Sequence, residues 1–168
     1  MNIKIKRLHP DAVIPKYAHA GDSGFDLVAV EDVIVMPGET ALVKTGLAFE
    51  IPAGYELQVR PRSGITLKTK LRVQLGTVDA GYRGEIGVIV DNIADDPLVN
   101  VAPYLSHIDG NDYRTDGEIF LNETYIIRKG DRIAQGVIAP VAKMEFEEVD
   151  ELSDTERSNK GFGSTGIK

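Results

Sequence analysis

Cysteine is absent from the chain. That excludes a disulfide scaffold, a zinc–thiolate centre and a thiol nucleophile, and it suits a reducing, cytoplasmic setting. Long apolar runs are also missing. The opening "MNIKIKRLHP" has no hydrophobic stretch of the signal-peptide kind, and no segment is long enough to read as a membrane span. Bases are scarce: 19 Lys and Arg stand against 26 Asp and Glu, a net charge of −7. A general nucleic-acid surface needs the opposite balance, so direct nucleic-acid binding is not expected. A small polyanionic ligand stays open, because local charge decides that case. Helical periodicity is the last absence, with one weak helical turn near "SGITLKTK".

What is present is a strand pattern. "IKIKRL" alternates apolar and polar residues, and "FDLVAV", "VIVM", "ALVKTGLAFEI", "YELQVR", "EIGVIV", "EIFLNETYII" and "RIAQGVIAPV" are short and rich in β-branched residues. Turn residues separate them, as in "MPGE" and "IPAGY". At 168 residues the chain reads as one all-β domain of the jelly-roll kind. Two segments break the rhythm. Residues 93–124 form a long, turn-rich connection with seven acids and one arginine. Residues 145–156 carry seven acids and no base, and lead into the glycine-rich end "RSNKGFGSTGIK". Connections this long are functional or disordered more often than not. The expected division is a barrel over 1–150 and a flexible linker and lid over 151–168.

Five stretches hold more polar detail than a β-fold needs: "AGDSGFDL", "RPRSGI", "GTVDAGYRGEIGV", "KGDRIAQGVI" and the terminal "RSNKGFGSTGIK". Each has an ordinary reading of its own. Asp26 fits a turn cap, Arg62 and Ser63 a surface turn, Asp79 with Gly81 a hairpin turn, and "KGDR" a solvent turn. Together they form a phosphate inventory. Arg62, Arg132 and Arg157 offer guanidinium forks, and Ser63, Gln135, Ser164 and Thr165 offer neutral donors. The glycines let backbone N–H groups approach an anion. Asp26 and Asp79 are carboxylates able to serve a divalent metal or orient water, which fits Mg²⁺-assisted polyphosphate hydrolysis. Phe162 and Tyr82 add flat faces for a base and a sugar. The three histidines lie outside any nucleophile-elbow context.

In this order the five stretches resemble the five motifs of the homotrimeric dUTP diphosphatase (dUTPase) family, over nearly the whole chain. The resemblance implies a distorted jelly-roll subunit, a threefold trimer with shared active sites, and Mg²⁺-dependent hydrolysis of dUTP to dUMP and pyrophosphate. Such an activity limits uracil in DNA and supplies dUMP for thymidylate synthesis. It implies Asp79 as the residue that orients and deprotonates the attacking water. Tyr82 would lie against the deoxyribose, and the backbone of Gly76, Thr77 and Val78 would read uracil. Phosphates would fall to Arg62, Ser63, Gly64, Arg132 and Gln135. From the tail, Phe162 would cover the uracil, while Arg157, Gly163, Ser164 and Thr165 close on the phosphates. Asp26 would sit near a Mg²⁺ carried mainly by the triphosphate, and reach it through water.

Two departures stand out. Ser158 and Lys160 replace glycines of the family's last motif, which should stiffen the tail and alter closing or KM only modestly. The connection from Asn92 to Arg128 takes 37 residues, far longer than in short family members. It resembles insertions in dUTPases from phages of Gram-positive bacteria, where extra surface can contact a bacterial protein. "VAPYLSHI" is the expected apolar contact patch, against the plainer reading of a tolerated loop. A dCTP deaminase of the same fold and a regulatory binding protein on a dUTPase scaffold are the alternatives. Intact "GTVDAGY" and "GFGSTG" stretches favour the diphosphatase.

Overall fold

The structure, a computed structural model, describes residues 2–95, 100–155 and 158–159. In chain order its elements are Lys4–Arg7 (β1), Phe25–Val28 (β2), Val33–Val35 (β3), Thr40–Lys44 (β4), Leu47–Glu50 (β5), Tyr55–Pro61 (β6), the helix Ser63–Lys68 (α1), Leu71–Val73 (β7), Gly76–Val78 (β8) and Gly87–Asn92 (β9). Then come Val101–Ala102 (β10), Tyr104–His107 (β11), Asp112–Arg114 (β12), Phe120–Leu121 (β13), Tyr125–Ile127 (β14) and Arg132–Pro140 (β15). The period-two pattern is realised directly. Along β9, Val88, Val90 and Asn92 are buried while Ile89 faces outward.

The strands form small sheets around one apolar core, the distorted jelly-roll barrel expected from the pattern. Two sheets matter most for the site. One runs β2–β15–β6–β8, the other β4–β9–β7. Leu27, Val43, Leu57, Leu71, Val88 and Ile133 meet between them, each at most 1% exposed. Burying each such side chain contributes about 1.5–3 kcal/mol. Polar groups that enter this interior find partners. Thr45 Oγ1 donates to Ile86 O at 2.7 Å, and Thr69 Oγ1 donates to Ile65 O at 2.7 Å.

Two runs expected as single strands are broken, each by backbone in the left-handed region. "ALVKTGLAFEI" becomes β4 and β5, with a corner at Gly46 (φ 67°). "EIFLNETYII" becomes β13 and β14, with a turn at Glu123 (φ 60°). Nor is the Asp79 turn a simple hairpin. β8 pairs with β6, whereas β9 pairs with β4 and β7, so the turn passes from one sheet to the other.

The long connection is folded rather than structureless. β11 and β12 form a hairpin that joins β14 in parallel and, through it, β3. Ala102, Leu105 and Ile108 are buried, which narrows the expected apolar contact patch "VAPYLSHI"; its Val101 is the apolar side chain left 62% exposed. Beyond Pro140, residues 141–155 carry no helix or strand and are exposed. No helix among the described residues is long and apolar enough to cross a membrane.

Candidate functional site

Asp26 lies on β2, where it is paired in register with Gln135 of β15; Gln135 is in turn opposite Arg60 of β6. Gly136 makes this alignment feasible. A Cβ there would collide with the Phe25 ring, so glycine lets the ring pack beside the strand. The Asp26 carboxylate is a junction: Arg62 Nε stands 3.2 Å from Oδ1, and Arg132 Nη1 stands 3.3 Å from Oδ2. Arg62 Nη1 also donates to the Arg132 carbonyl at 2.7 Å. Two cations from different elements are thereby held side by side. Ser63 and Gly64, exposed in the first turn of α1, lie next to them, and Gln135 is exposed on the strand. A cavity of about 520 Å³ opens here, lined by Arg62, Gly64, Lys68, His107, Asp131 and Arg132 among others.

Asp79 and Tyr82 sit elsewhere in the chain. The turn that carries them is closed by Tyr82 N–H donating to Asp79 O at 3.0 Å, and Tyr82 Oη donates to Glu85 O at 3.1 Å. Both line a cleft of about 350 Å³ with Thr77, Val78, Lys44, Leu42 and Ile89. β8, which lines it through Thr77 and Val78, is the edge strand of its sheet, bonded to β6 on one side. The other side of the Gly76–Val78 backbone is therefore free to pair with a ligand edge. Arg62, Gly64 and Arg132 line none of this cleft, and Asp79 and Tyr82 line none of the larger cavity.

Mg²⁺ was expected near Asp26. No group of three or more His, Asp or Glu able to hold a metal occurs among the described residues, and both Asp26 oxygens face guanidinium groups. This donor set fits an ion that arrives with most of its oxygen ligands already supplied and meets Asp26 through water. Arg157, Phe162, Gly163, Ser164 and Thr165 lie outside the described residues. Ser158, inside them, has φ 46°, a left-handed conformation that glycine adopts without strain and serine does not. Its N–H is held by Thr155 O and Thr155 Oγ1, each at 3.0 Å.

Sequence reasoning gave no role to two residues that line the larger cavity. Asp131 was read as part of a solvent turn, and His107 was given no role. Asp131 Oδ2 accepts Arg128 N–H at 2.7 Å, and it stands 2.7 Å from His107 Nε2. The signal for the first was an aspartate three residues after Arg128 in a glycine turn. None existed for the second, because His107 is brought in by the long connection. Beside it Asp109 is held well below its ordinary 3.8, at about 2, chiefly by the Asn111 backbone N–H on its carboxylate.

Similarity to known proteins places the chain in one family. The dUTPase family model matches residues 11–101 and 117–166, skipping the whole β11–β12 hairpin. A deoxyuridine 5'-triphosphate nucleotidohydrolase from Picosynechococcus is 46% identical over 168 residues, covering 99% of both chains. The Staphylococcus bacteriophage 80alpha dUTPase with dUPNHPP superposes at a TM-score of 0.94 with 36% identity, covering 99% of both chains. That protein is one of the phage dUTPases described as controlling transfer of virulence genes. A mutant dUTPase from phage phi11 of S. aureus, described as coordinating a structural Mg(II) ion, matches at a TM-score of 0.87 and 34% identity, over 92% of this chain and 100% of its own. The chain belongs to the dUTPase family, enzymes of the nucleotidohydrolase class.

Proposed function

We propose that this chain hydrolyses dUTP to dUMP and pyrophosphate in the cytoplasm, as a homotrimer with shared active sites. The observation that carries the reading is the cleft where Asp79 and Tyr82 flank the free edge of β8. An edge strand offers N–H and C=O groups at fixed spacing, matching the donor–acceptor edge of uracil at Gly76, Thr77 and Val78. The Tyr82 ring against the sugar leaves no room for a ribose 2′-hydroxyl. The Asp79 carboxylate accepts a hydrogen bond from water and aims its oxygen at the α-phosphorus. A new P–O bond forms, the bond to the α,β-bridging oxygen breaks, and pyrophosphate leaves; the proton passes to Asp79 and then to solvent. Arg62, Ser63, Gly64, Arg132 and Gln135 stabilise charge on the phosphate oxygens. Mg²⁺, when bound with the triphosphate, neutralises part of its charge. Asp26 would hold it through water.

The separation of the two clefts supports sharing between subunits. In each site the Asp26, Ser63 and Gln135 side comes from one subunit, the Asp79 turn from a second and the glycine-rich tail from the third. The glycine-rich tail closes the site as a lid, with Phe162 over the base and Arg157, Gly163, Ser164 and Thr165 on phosphate. Pyrophosphate release from dUTP with Mg²⁺ tests the reading. Asp79→Asn should lower it by roughly three orders of magnitude, and a chain ending at Asn159 should lose most turnover yet still run as a trimer of its own, slightly lighter subunit. Comparable rates on dTTP or UTP, or ammonia release from dCTP, would overturn it.

A second role, protein binding through 93–124, is favoured by the folded hairpin the family model skips and by exposed Val101, Tyr113 and Ile119. Capture of a bacterial protein should be lost in a Val101→Asp, Ile119→Asp variant that retains dUTP turnover. Unchanged capture would remove this role.

A further inference from the structure

His107 is the point where the long connection meets the phosphate cavity. Its side chain is 12% exposed, with the Tyr113 ring edge-on at 5.4 Å. Nε2 stands 2.7 Å from Asp131 Oδ2. Nδ1 faces Asp109 in two ways, 3.1 Å from Oδ1 and 3.4 Å from the main-chain N–H. The ring therefore satisfies Asp109 in either protonation state, accepting when neutral and donating when charged, while Nε2–H donates to Asp131 in both.

Asp131 is the residue that fixes the turn ahead of β15. Its carboxylate caps Arg128 N–H, its own N–H donates to Arg128 O at 3.0 Å, and its carbonyl accepts Ala29 N–H at 2.9 Å. Gly130, with φ 93°, supplies the left-handed step that lets the turn close. The next residue is Arg132, whose guanidinium meets Asp26 and whose carbonyl holds Arg62. The same hairpin is tied to α1 through Lys68 Nζ, which donates to Asp109 O at 3.4 Å.

We propose that His107 is a positioning residue for the phosphate side of the site: it locks the Arg128–Asp131 turn and so fixes where Arg132 and Arg62 point. The connection is then a brace for catalysis in addition to any surface it presents. This rests on the dUTP reading above. A side chain that keeps a donor at the Nε2 position should suffice, and one that reaches only the Nδ1 position should not.

Full-length His107→Gln, His107→Asn and His107→Ala test it. Gln reaches the Nε2 position, Asn only the Nδ1 position. With dUTP, Gln should stay within about twofold of wild type, whereas Asn and Ala raise KM about five- to tenfold with kcat nearly unchanged. Binding of a non-hydrolysable imido analogue of dUTP should weaken by the same factor. Affinity for deoxyuridine, which has no phosphate, should not change. Equal behaviour of Gln and Asn, or equal losses for deoxyuridine and the triphosphate analogue, overturns the proposal; this comparison survives even if the Ala variant fails to fold. Failure of the wild-type chain to bind the analogue would instead overturn the dUTP reading.

Discussion

Arg62 and Asp26 form an ion pair at 3.2 Å that joins the turn after β6 to the edge of β2, and Arg132 closes on the other oxygen of the same carboxylate at 3.3 Å. Two guanidinium groups so close repel each other, and a shared carboxylate offsets that repulsion. The Asp26 carboxylate thus keeps both guanidinium forks in place.

Asp26→Asn should therefore damage catalysis more than folding. Asparagine keeps the shape and one acceptor but loses the charge, at about 1.5–3 kcal/mol of positioning energy, or roughly 10- to 100-fold in kcat/KM. The three side chains are between 23% and 61% exposed, so water can replace part of what is lost in the fold. The thermal midpoint should move by only a few degrees. Steady-state kinetics beside a melting curve decide the matter; a large fall in the midpoint with unchanged kcat/KM would make Asp26 purely structural.

Most of the barrel was legible because its signals are local. Alternation in "IKIKRL" and β-branched runs such as "GVIV" mark half-buried strands whatever lies across from them. The sheet membership of β8 was not legible. "LRVQLGTV" and "EIGVIV" flank an Asp-Ala-Gly turn that looks like a hairpin, yet β8 leaves to pair with β6 under the control of core packing. The site divided in the same way. Arg62, Arg132 and Gln135 were readable as phosphate-type residues and Asp26 as a metal-type carboxylate, and the structure brings Asp26, Arg62 and Arg132 together. His107 was unreadable, since its meaning comes from Asp131, 24 residues away. The fold of residues 101–121 was hidden by its polarity: its hairpin buries Leu105 and Ile108 among exposed acids, which a composition scan reads as loop.

Asn92 is the hinge at which that connection leaves the barrel. It is 1% exposed, and its amide donates to Val35 O at 3.1 Å and to Glu123 O at 2.8 Å, while its Oδ1 accepts Ala94 N–H at 3.0 Å. One side chain thus ties together β3, the turn before β14 and the start of the connection. Asn92→Leu would take this side-chain partner from three backbone groups, two of the bonds buried and one part-buried, a loss of about 2–4 kcal/mol and roughly 5–12 °C in Tm. Asn92→Asp should be no better, because a carboxylate would face two carbonyl oxygens. Denaturant unfolding of both variants checks this. A loss below about 1 kcal/mol for Asn92→Leu would mean that water takes over the bonds.

Asp109 carries the pH dependence of the hairpin. Its folded-state value, about 2, lies below the ordinary 3.8, with the Asn111 N–H at 2.8 Å as the largest cause and the Asn111 and His107 side chains adding to it. A depressed carboxylate stabilises the folded state above its unfolded value and stops doing so as pH falls through its folded value. The contribution is therefore complete at neutral pH, begins to fade near 3.8 and is gone below about 2. Asp109→Ala should lower the melting temperature at neutral pH, and the gap to wild type should narrow at about pH 3 and below. Asp112, on the same hairpin, accepts the Ser106 hydroxyl at 2.7 Å and serves as an internal control, since its substitution leaves the Asn111 contact intact. Amide exchange across residues 104–114 reports the hairpin itself, separating its loosening from unfolding of the barrel. If the Asp109→Ala gap stays constant from neutral pH down to about pH 2, the stabilisation does not come from the ionised carboxylate.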